Sequence, residues 1–246
     1  MTSSSLRRTG ATARRVLTQL RHDPRTIALL LVVPCVLQAL LWGVLGQSAF
    51  NRAGPVLLGL FPFTTLFVVT SVATLRERTS GTLERLLTTP LAKGELLGGY
   101  GLAFGLAGIV QGLLACALTL GPLSLRITGS VVVLLGLVVL CALLGMALGL
   151  FVSAFAATEF QAVQFLPAVV LPQVLLCGLL APRENMTAGL RWLSDVLPLS
   201  YAADGLQRVT ATPGWSAALL VDLAVVVGVI LVGLGLAALT LRRQTA

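Results

Sequence analysis

Six stretches of this chain contain no charged residue: 26–51, 53–75, 96–125, 127–158, 160–182 and 223–241. Crossing about 30 Å of hydrocarbon takes roughly 20 mostly apolar residues in a helix, and each stretch can supply one. A helix is required because backbone groups in lipid must be satisfied within the segment. The stretches also lack the alternation and the length of about ten residues that mark barrel strands. The pattern therefore predicts an all-α integral membrane protein with six transmembrane helices, at about 27–46, 56–75, 96–120, 130–154, 160–180 and 217–241, in one domain covering 1–246. Pro34 predicts a kink in the first span, and Asn51 with Arg52 a short loop before the second.

Two further elements are legible in the flanks. From Ala13 to Leu20, the apolar residues Ala13, Val16, Leu17 and Leu20 recur at i, i+3, i+4, i+7, opposite Arg14, Arg15, Thr18 and Gln19. This is an amphipathic helix suited to lying on a leaflet surface, although a disordered basic tail has a similar composition. Asp23-Pro24 separates it from the first span. Met186–Val196 and Leu199–Val209 are each too short to cross and are divided by Leu197-Pro198. They predict two short helices in the outer leaflet, or a re-entrant hairpin among the spans, before the last crossing.

Charge changes the picture in two ways. Only 11% of residues are charged, against about a quarter in soluble domains. The Lys and Arg residues are also unevenly placed: twelve fall on the side of the N-terminus and five on the other. By the positive-inside rule both termini are cytoplasmic in a cell membrane. The net charge of +8 is then a topological bias and not a nucleic-acid footprint. Cys35, Cys116, Cys141 and Cys177 all fall in apolar runs without CxxC spacing and read as small buried hydrophobes. The first apolar run follows a basic segment of 25 residues and is too long for a cleavable signal.

One block departs from the apolar pattern. Arg76 to Glu95 holds seven of the 26 Asp, Glu, Lys and Arg residues in twenty positions. Within it, Thr82 to Thr89 reads as a short helix, with Gly81 as N-cap, Glu84 in the first turn, and Pro90 as its stop. Leu83, Leu86 and Leu87 share one face, while Glu84, Arg85 and Thr88 cover the rest. Such a helix is too short to persist alone in water. On the residues alone it is either braced against a partner or an ordinary solvated loop whose charges set topology.

The stretch Glu77 … Ser80-Gly81-Thr82-Leu83-Glu84-Arg85-Leu86 … Pro90 resembles the first cytoplasmic loop of ABC-2 type permeases, the membrane subunits of ATP-binding-cassette exporters. Thr158-Glu159-Phe160-Gln161 with Pro167, then Leu180-Ala181-Pro182, Met186, Trp192, Leu197-Pro198-Leu199-Ser200-Tyr201 and Ala202 to Arg208, is similar to that family's fifth span and outer helices. His22-Asp23-Pro24-Arg25 resembles its entry into the first span. Within the family the chain looks most like bacterial drug exporters of the daunorubicin-resistance type. Ala181-Pro182-Arg183-Glu184 is more charged than the usual apolar-Pro stretch, and His22 stands where Arg is commoner.

The resemblance implies a half-transporter in a bacterial inner membrane. It would pair with a second permease subunit, expected to be a copy of itself, and rest on a separate ATP-binding subunit that holds ATP and Mg. Glu77, Gly81, Thr82, Leu83, Glu84, Arg85, Leu86 and Pro90 would form the coupling helix. The implied cargo is an amphiphilic, drug-like small molecule, in contact with membrane lipid. Phe63, Phe67, Gln164 and Gln173, on the second and fifth spans, are candidates for the translocation route.

Other polar residues in the spans carry structural readings. Gln38 and Gln111 read as cross-links between helices, Asp222 as a shallow interfacial acid or a proton relay, and Gly98, Gly99, Gly145 and Gly149 as close-packing positions. The chain holds no metal or cofactor motif, and its only lysine, Lys93, sits in Ala-Lys-Gly and not in a P-loop. It is therefore expected to be no enzyme by itself. Export of a lipid-linked saccharide by the same fold is the neighbouring alternative, and an ion-coupled secondary transporter is the alternative from another class. An intramembrane protease would need a membrane histidine or two midspan acids, whereas the one histidine, His22, precedes the spans.

Overall fold

The structure, a computed structural model, describes residues 3–81 and 92–240, and in them all regular secondary structure is helical, with no strand. In chain order the helices are α1 (Ser3–Arg21), α2 (Pro24–Thr79), α3 (Lys93–Leu120), α4 (Val131–Ser153), α5 (Glu159–Leu176), α6 (Ala188–Val196), α7 (Pro198–Ala211) and α8 (Ala217–Thr240). A single 3-10 turn, Arg183–Asn185, precedes α6. Five of these helices, α2, α3, α4, α5 and α8, are long and apolar enough to cross a membrane.

Helix α2 corrects the expected loop at Asn51-Arg52. Its 56 residues would measure about 84 Å if straight. Helical geometry is interrupted once, at Gly46, where φ is +72°. That conformation is open to glycine without the penalty a Cβ would bring. Helical dihedrals persist through Pro34, so the break expected there falls twelve residues later. The two ends of α2 then come together, since Asp23 and Thr26 share one cavity wall with Val72 and Arg76. The element thus runs out and back. Its turn stays helical because its polar side chains bond to the 121–130 connection: Gln47 Nε2 donates to the carbonyls of Leu123 and Ser124 at 3.2 and 3.0 Å, and Asn51 Oδ1 accepts the Arg126 N–H at 3.3 Å.

The main core lies between the returning half of α2 and α4, joined by α7 and α8. Phe63, Phe67, Leu134, Leu137 and Leu144 are essentially closed to solvent there. Glycines set how near the helices come. A Cβ on Gly145 would lie 2.0 Å from the Phe63 carbonyl oxygen, and one on Gly149 would lie 2.5 Å from that of Phe67. Small residues of this kind let backbones approach in membrane bundles.

Helix α1 begins ten residues before the expected Ala13 and is docked, not merely laid on a surface. Thr9, Thr12, Ala13 and Val16 form a buried stripe at i, i+3, i+4, i+7. They seat on α3, where Cβ atoms on Gly98 and Gly99 would come within 3.2 and 2.5 Å of Thr9 and Thr12. Helix α5 ends at Leu176, four residues short of the expected 180, and Gly178 follows with φ +89°. The expected outer pair is present as α6 and α7. Helix α7 is buried among the spans, with Leu199, Ala202, Ala203 and Leu206 each at most 1% exposed. Cys116, Cys141 and Cys177 are buried, Cys35 is partly so, and all four are free.

Asp23 caps the start of α2, accepting the backbone N–H of Arg25 and Thr26 at 3.2 Å each and the Thr26 hydroxyl at 2.7 Å. The Thr26 hydroxyl, then the backbone donors, hold its carboxyl below the usual carboxylate range. A depressed carboxyl stabilises fully above its unfolded pKa and loses that contribution as pH falls through the folded value. Asp23→Ala is expected to cost about 0.5–1 kcal/mol at neutral pH, the lower half of the N-cap range because the site is partly exposed. Thermal unfolding in detergent should show this gap closing as pH drops below about 4.

Candidate functional site

The charged block reaches the described structure at its two ends, 76–81 and 92–95; Thr82, Leu83, Glu84, Arg85, Leu86 and Pro90 lie outside the described residues. On the first side α2 stops at Thr79, with the N–H of Gly81 bonded to the Arg78 carbonyl and Gly81 at φ +69°. That geometry makes Gly81 the terminator of α2, the position where glycine is favoured after a helix end; the helix it is expected to cap lies outside the described residues. On the second side Glu95 accepts the Ala92 N–H at 3.0 Å and so caps α3.

Both ends are fastened to other helices. Arg15 of α1 pairs with Glu77 at 2.8 and 3.3 Å through both guanidinium nitrogens, and the Tyr100 hydroxyl of α3 donates to the same carboxylate. The Glu77 side chain is only 11% exposed, so its charge is spent inside the protein, tying α1, α2 and α3 together. Arg76 forms a two-point pair with Glu159 at the start of α5, at 2.7 and 2.8 Å. Arg78 donates to the Ala156 carbonyl in the turn between α4 and α5. Arg8 lies 3.7 Å from Glu95, and Lys93 Nζ donates to the Ala238 carbonyl of α8 at 3.3 Å. Sequence reasoning marked Glu77 but missed Arg15 and Tyr100 as its partners, and Glu159 as the partner of Arg76. The one available signal was Arg15 on the polar side of an amphipathic helix.

Beside these pins opens a cavity of about 770 Å³ between α1, both ends of α2, α3 and α5. Leu29, Val69, Phe104 and Val163 give it apolar walls, while Asp23, Arg76, Glu77 and Glu159 line its charged part. Volume and lining fall within the usual range for small-molecule sites, concave, mostly apolar and marked by a few polar groups.

The four route candidates are not brought together on one surface. Phe63 and Phe67 are fully buried in the main core. Gln173 is 3% exposed, its amide nitrogen donating to the Val169 carbonyl at 3.0 Å and its oxygen accepting the Leu199 N–H at 3.4 Å, which braces the start of α7. Gln164 is exposed on α5. The hydroxyls of Thr64, Thr65, Thr70 and Ser71 bond back to carbonyls of their own helix. Gln111 does cross-link, donating to Thr65 Oγ1 at 2.9 Å. Gln38 does not: it is fully buried, and neither amide atom has a hydrogen-bond partner among the described residues.

At the opposite end of the bundle, Asp222 lies in the first turns of α8 and is buried against α7. Its side chain is 5% exposed, with Oδ2 lying 2.9 Å from Arg208 Nε of α7. Nearby, Arg183 pairs with both Asp195 and Asp204 and lies 5.7 Å over the Tyr201 ring.

Membrane-length helices, a buried helical hairpin before the last of them and a charged connection pinned to several helices at one end define a multi-pass membrane protein. The family model described as "ABC-2 type transporter" matches residues 8–210, and the chain belongs to that family. Members are membrane subunits that generally work with an ATP-binding cassette subunit. The chain is 27% identical over 155 residues to a protein named probable multidrug ABC transporter permease YbhR from Escherichia coli K12, covering 63% of this chain and 42% of the relative. It is 26% identical over 178 residues to probable multidrug ABC transporter permease YbhS of the same organism, covering 72% and 47%. It is 24% identical over 155 residues to ABC transporter G family member 20 of Dictyostelium discoideum, covering 63% and 21%. The chain thus spans less than half the length of these curated relatives.

Proposed function

We propose that this chain is the membrane half of an ATP-driven exporter. It crosses the inner membrane six times with both termini in the cytoplasm, pairs with a second copy, and moves an amphiphilic small molecule using ATP and Mg held on a separate subunit. One observation carries the reading: the two described ends of the charged connection, 76–81 and 92–95, are pinned to α1, the α4–α5 turn, α5 and α8. A push on that segment from a cytoplasmic ATPase would be delivered to most of the bundle at once. The adjacent cavity supports the cargo class, because apolar walls beside a small charged edge suit an amphiphile. The multidrug names of the bacterial relatives point the same way.

The test is the double charge reversal Glu84→Lys with Arg85→Glu, in vesicles containing the chain and its ATP-binding subunit. Drug-stimulated ATP hydrolysis and ATP-driven uptake should both fall at least tenfold, while membrane insertion and yield stay unchanged. Full transport in that variant would sink the coupling role of the segment.

A further inference from the structure

The stripe docked on α3 accounts for one side of α1, and the remaining sides differ from one another. Helix α1 carries five arginines and no acid. Two of them are committed inside the protein, Arg15 to Glu77 and Arg8 beside Glu95. The other three, Arg7, Arg14 and Arg21, are all exposed and enter no ion pair among the described residues. They recur at i, i+7, i+14. A step of seven returns to nearly the same face, drifting by about 20°. The three therefore form one row, with neighbours about 10 Å apart along the axis.

What flanks this row fixes where it points. At about 100° per residue it lies opposite Thr9, Thr12, Ala13 and Val16, so it faces away from α3. On one flank are Arg8 and Arg15, which reach Glu95 and Glu77. On the other are Leu6, 59% exposed, and Leu17, partly exposed. Gly10 lies between the leucine flank and the row, and a Cβ there would meet nothing within 4 Å, so this surface is open. Glu77 is in the last turn of α2 and Glu95 in the first turn of α3, at the two ends of the charged connection. The Arg8–Arg15 flank thus looks toward the polar end of the bundle. The leucine flank looks the other way, along the apolar length of the spans, and the arginine row occupies the boundary between them.

We propose that the free face of α1 is a docking surface for anionic lipid: head-group phosphates accept hydrogen bonds from Arg7, Arg14 and Arg21, while Leu6 and Leu17 meet the upper acyl chains. A guanidinium presents a fork of N–H donors that suits phosphate oxygens, and its aliphatic stem can lie along an apolar boundary while the charge stays in the head-group layer. With no acid on α1, nothing on the helix competes with the lipid for these charges. The leucine flank is what favours a lipid surface over an acidic protein groove, because it asks for an apolar layer directly beside a negative one. Lipid bound here holds α1 from the side opposite α3 and so supports, through Arg15, the Glu77 end of α2. The contact does not depend on the transport reading; the proposed topology decides only that the leaflet is the cytoplasmic one.

Native mass spectrometry of the full chain in detergent tests it, with phosphatidylglycerol and phosphatidylcholine of equal acyl length as competing probes. An arginine near an anionic surface strengthens binding by roughly fivefold, so phosphatidylglycerol should be retained at least about fivefold better than phosphatidylcholine. Arg7→Gln with Arg14→Gln and Arg21→Gln should remove most of that preference. Arg7→Lys with Arg14→Lys and Arg21→Lys should keep most of it, because lysine still binds phosphate as a point charge. Arg52→Gln with Arg126→Gln and Arg191→Gln removes three exposed cations elsewhere and should leave the preference in place. Arg14→Gln alone should lower it in the same direction as the triple, which keeps the test decisive should the triple variant not fold. The proposal is overturned by equal retention of the two lipids in the native chain, by a preference unchanged in the glutamine variants of α1, or by an equal loss in the Arg52 control. Loss of binding to the ATP-binding subunit with the lipid preference intact would assign the row to a protein partner and overturn it as well.

Discussion

Glu77→Ala should lower the stability of the folded chain by about 3 kcal/mol, the lower part of the range for breaking a buried ion pair. The substitution leaves Arg15, 26% exposed, without its carboxylate and removes the acceptor of the Tyr100 hydroxyl. Arg15→Ala strands the carboxylate instead and should cost a similar amount, whereas Tyr100→Phe removes one hydrogen bond and should cost about 1 kcal/mol. Denaturant unfolding in micelles can measure all three. Because Arg15 and Glu77 share one interaction, the double variant should cost less than the sum of the singles by about 1–2 kcal/mol. Strict additivity would show that the pair does not form. Transport should suffer along with stability, since α1 and α3 are held to the end of α2 at this carboxylate.

Gly145→Ala is the second large effect. The added methyl would meet the Phe63 backbone at 2.0 Å, a contact that no rotamer change relieves. The returning half of α2 and α4 would have to separate, opening a core whose aromatic residues are fully buried. The cost should approach about 3 kcal/mol, the upper end for overpacking. Gly136, on the same helix, has nothing within 4 Å of the equivalent position. Gly136→Ala is therefore the matched control and should be neutral or stabilising by up to about 1 kcal/mol, because alanine is the better helix former. Thermal melts of the two variants side by side give the answer, and identical melting points would refute the close approach of these helices.

What could be read from sequence and what could not divide along physical lines. Long apolar runs are local signals, so α3, α4 and α8 fall within three residues of expectation at each described end. The Leu197-Pro198 punctuation placed the α6–α7 boundary for the same reason. Helix α2 was misread at Asn51 because the partners that keep it helical come from residues 123–126, more than seventy positions away. Glu77 was marked as part of the coupling segment, but its place in α2 and its partner Arg15, 62 positions distant, were not legible, because no periodicity carries that pairing. Gln38 and Gln111 look alike in sequence, but only one faces a hydroxyl on another helix. The unusual charge at Arg183-Glu184 was visible as a departure from the family pattern. Its meaning needed α6, α7 and α8 to be seen around it.

The seat of α1 has a consequence for how the chain is made. The groove that receives Thr9 and Thr12 is formed by Gly98 and Gly99, nearly ninety residues downstream. At about 5–20 residues per second, a ribosome needs roughly 4–18 s to bridge that interval. For that time the stripe of Thr9, Thr12, Ala13 and Val16 lacks its seat on α3, while the long helix α2 is already being made. The stripe that ends packed on α3 is therefore made well before its seat, and the order of synthesis makes docking of the N-terminus on α3 a late event in assembly.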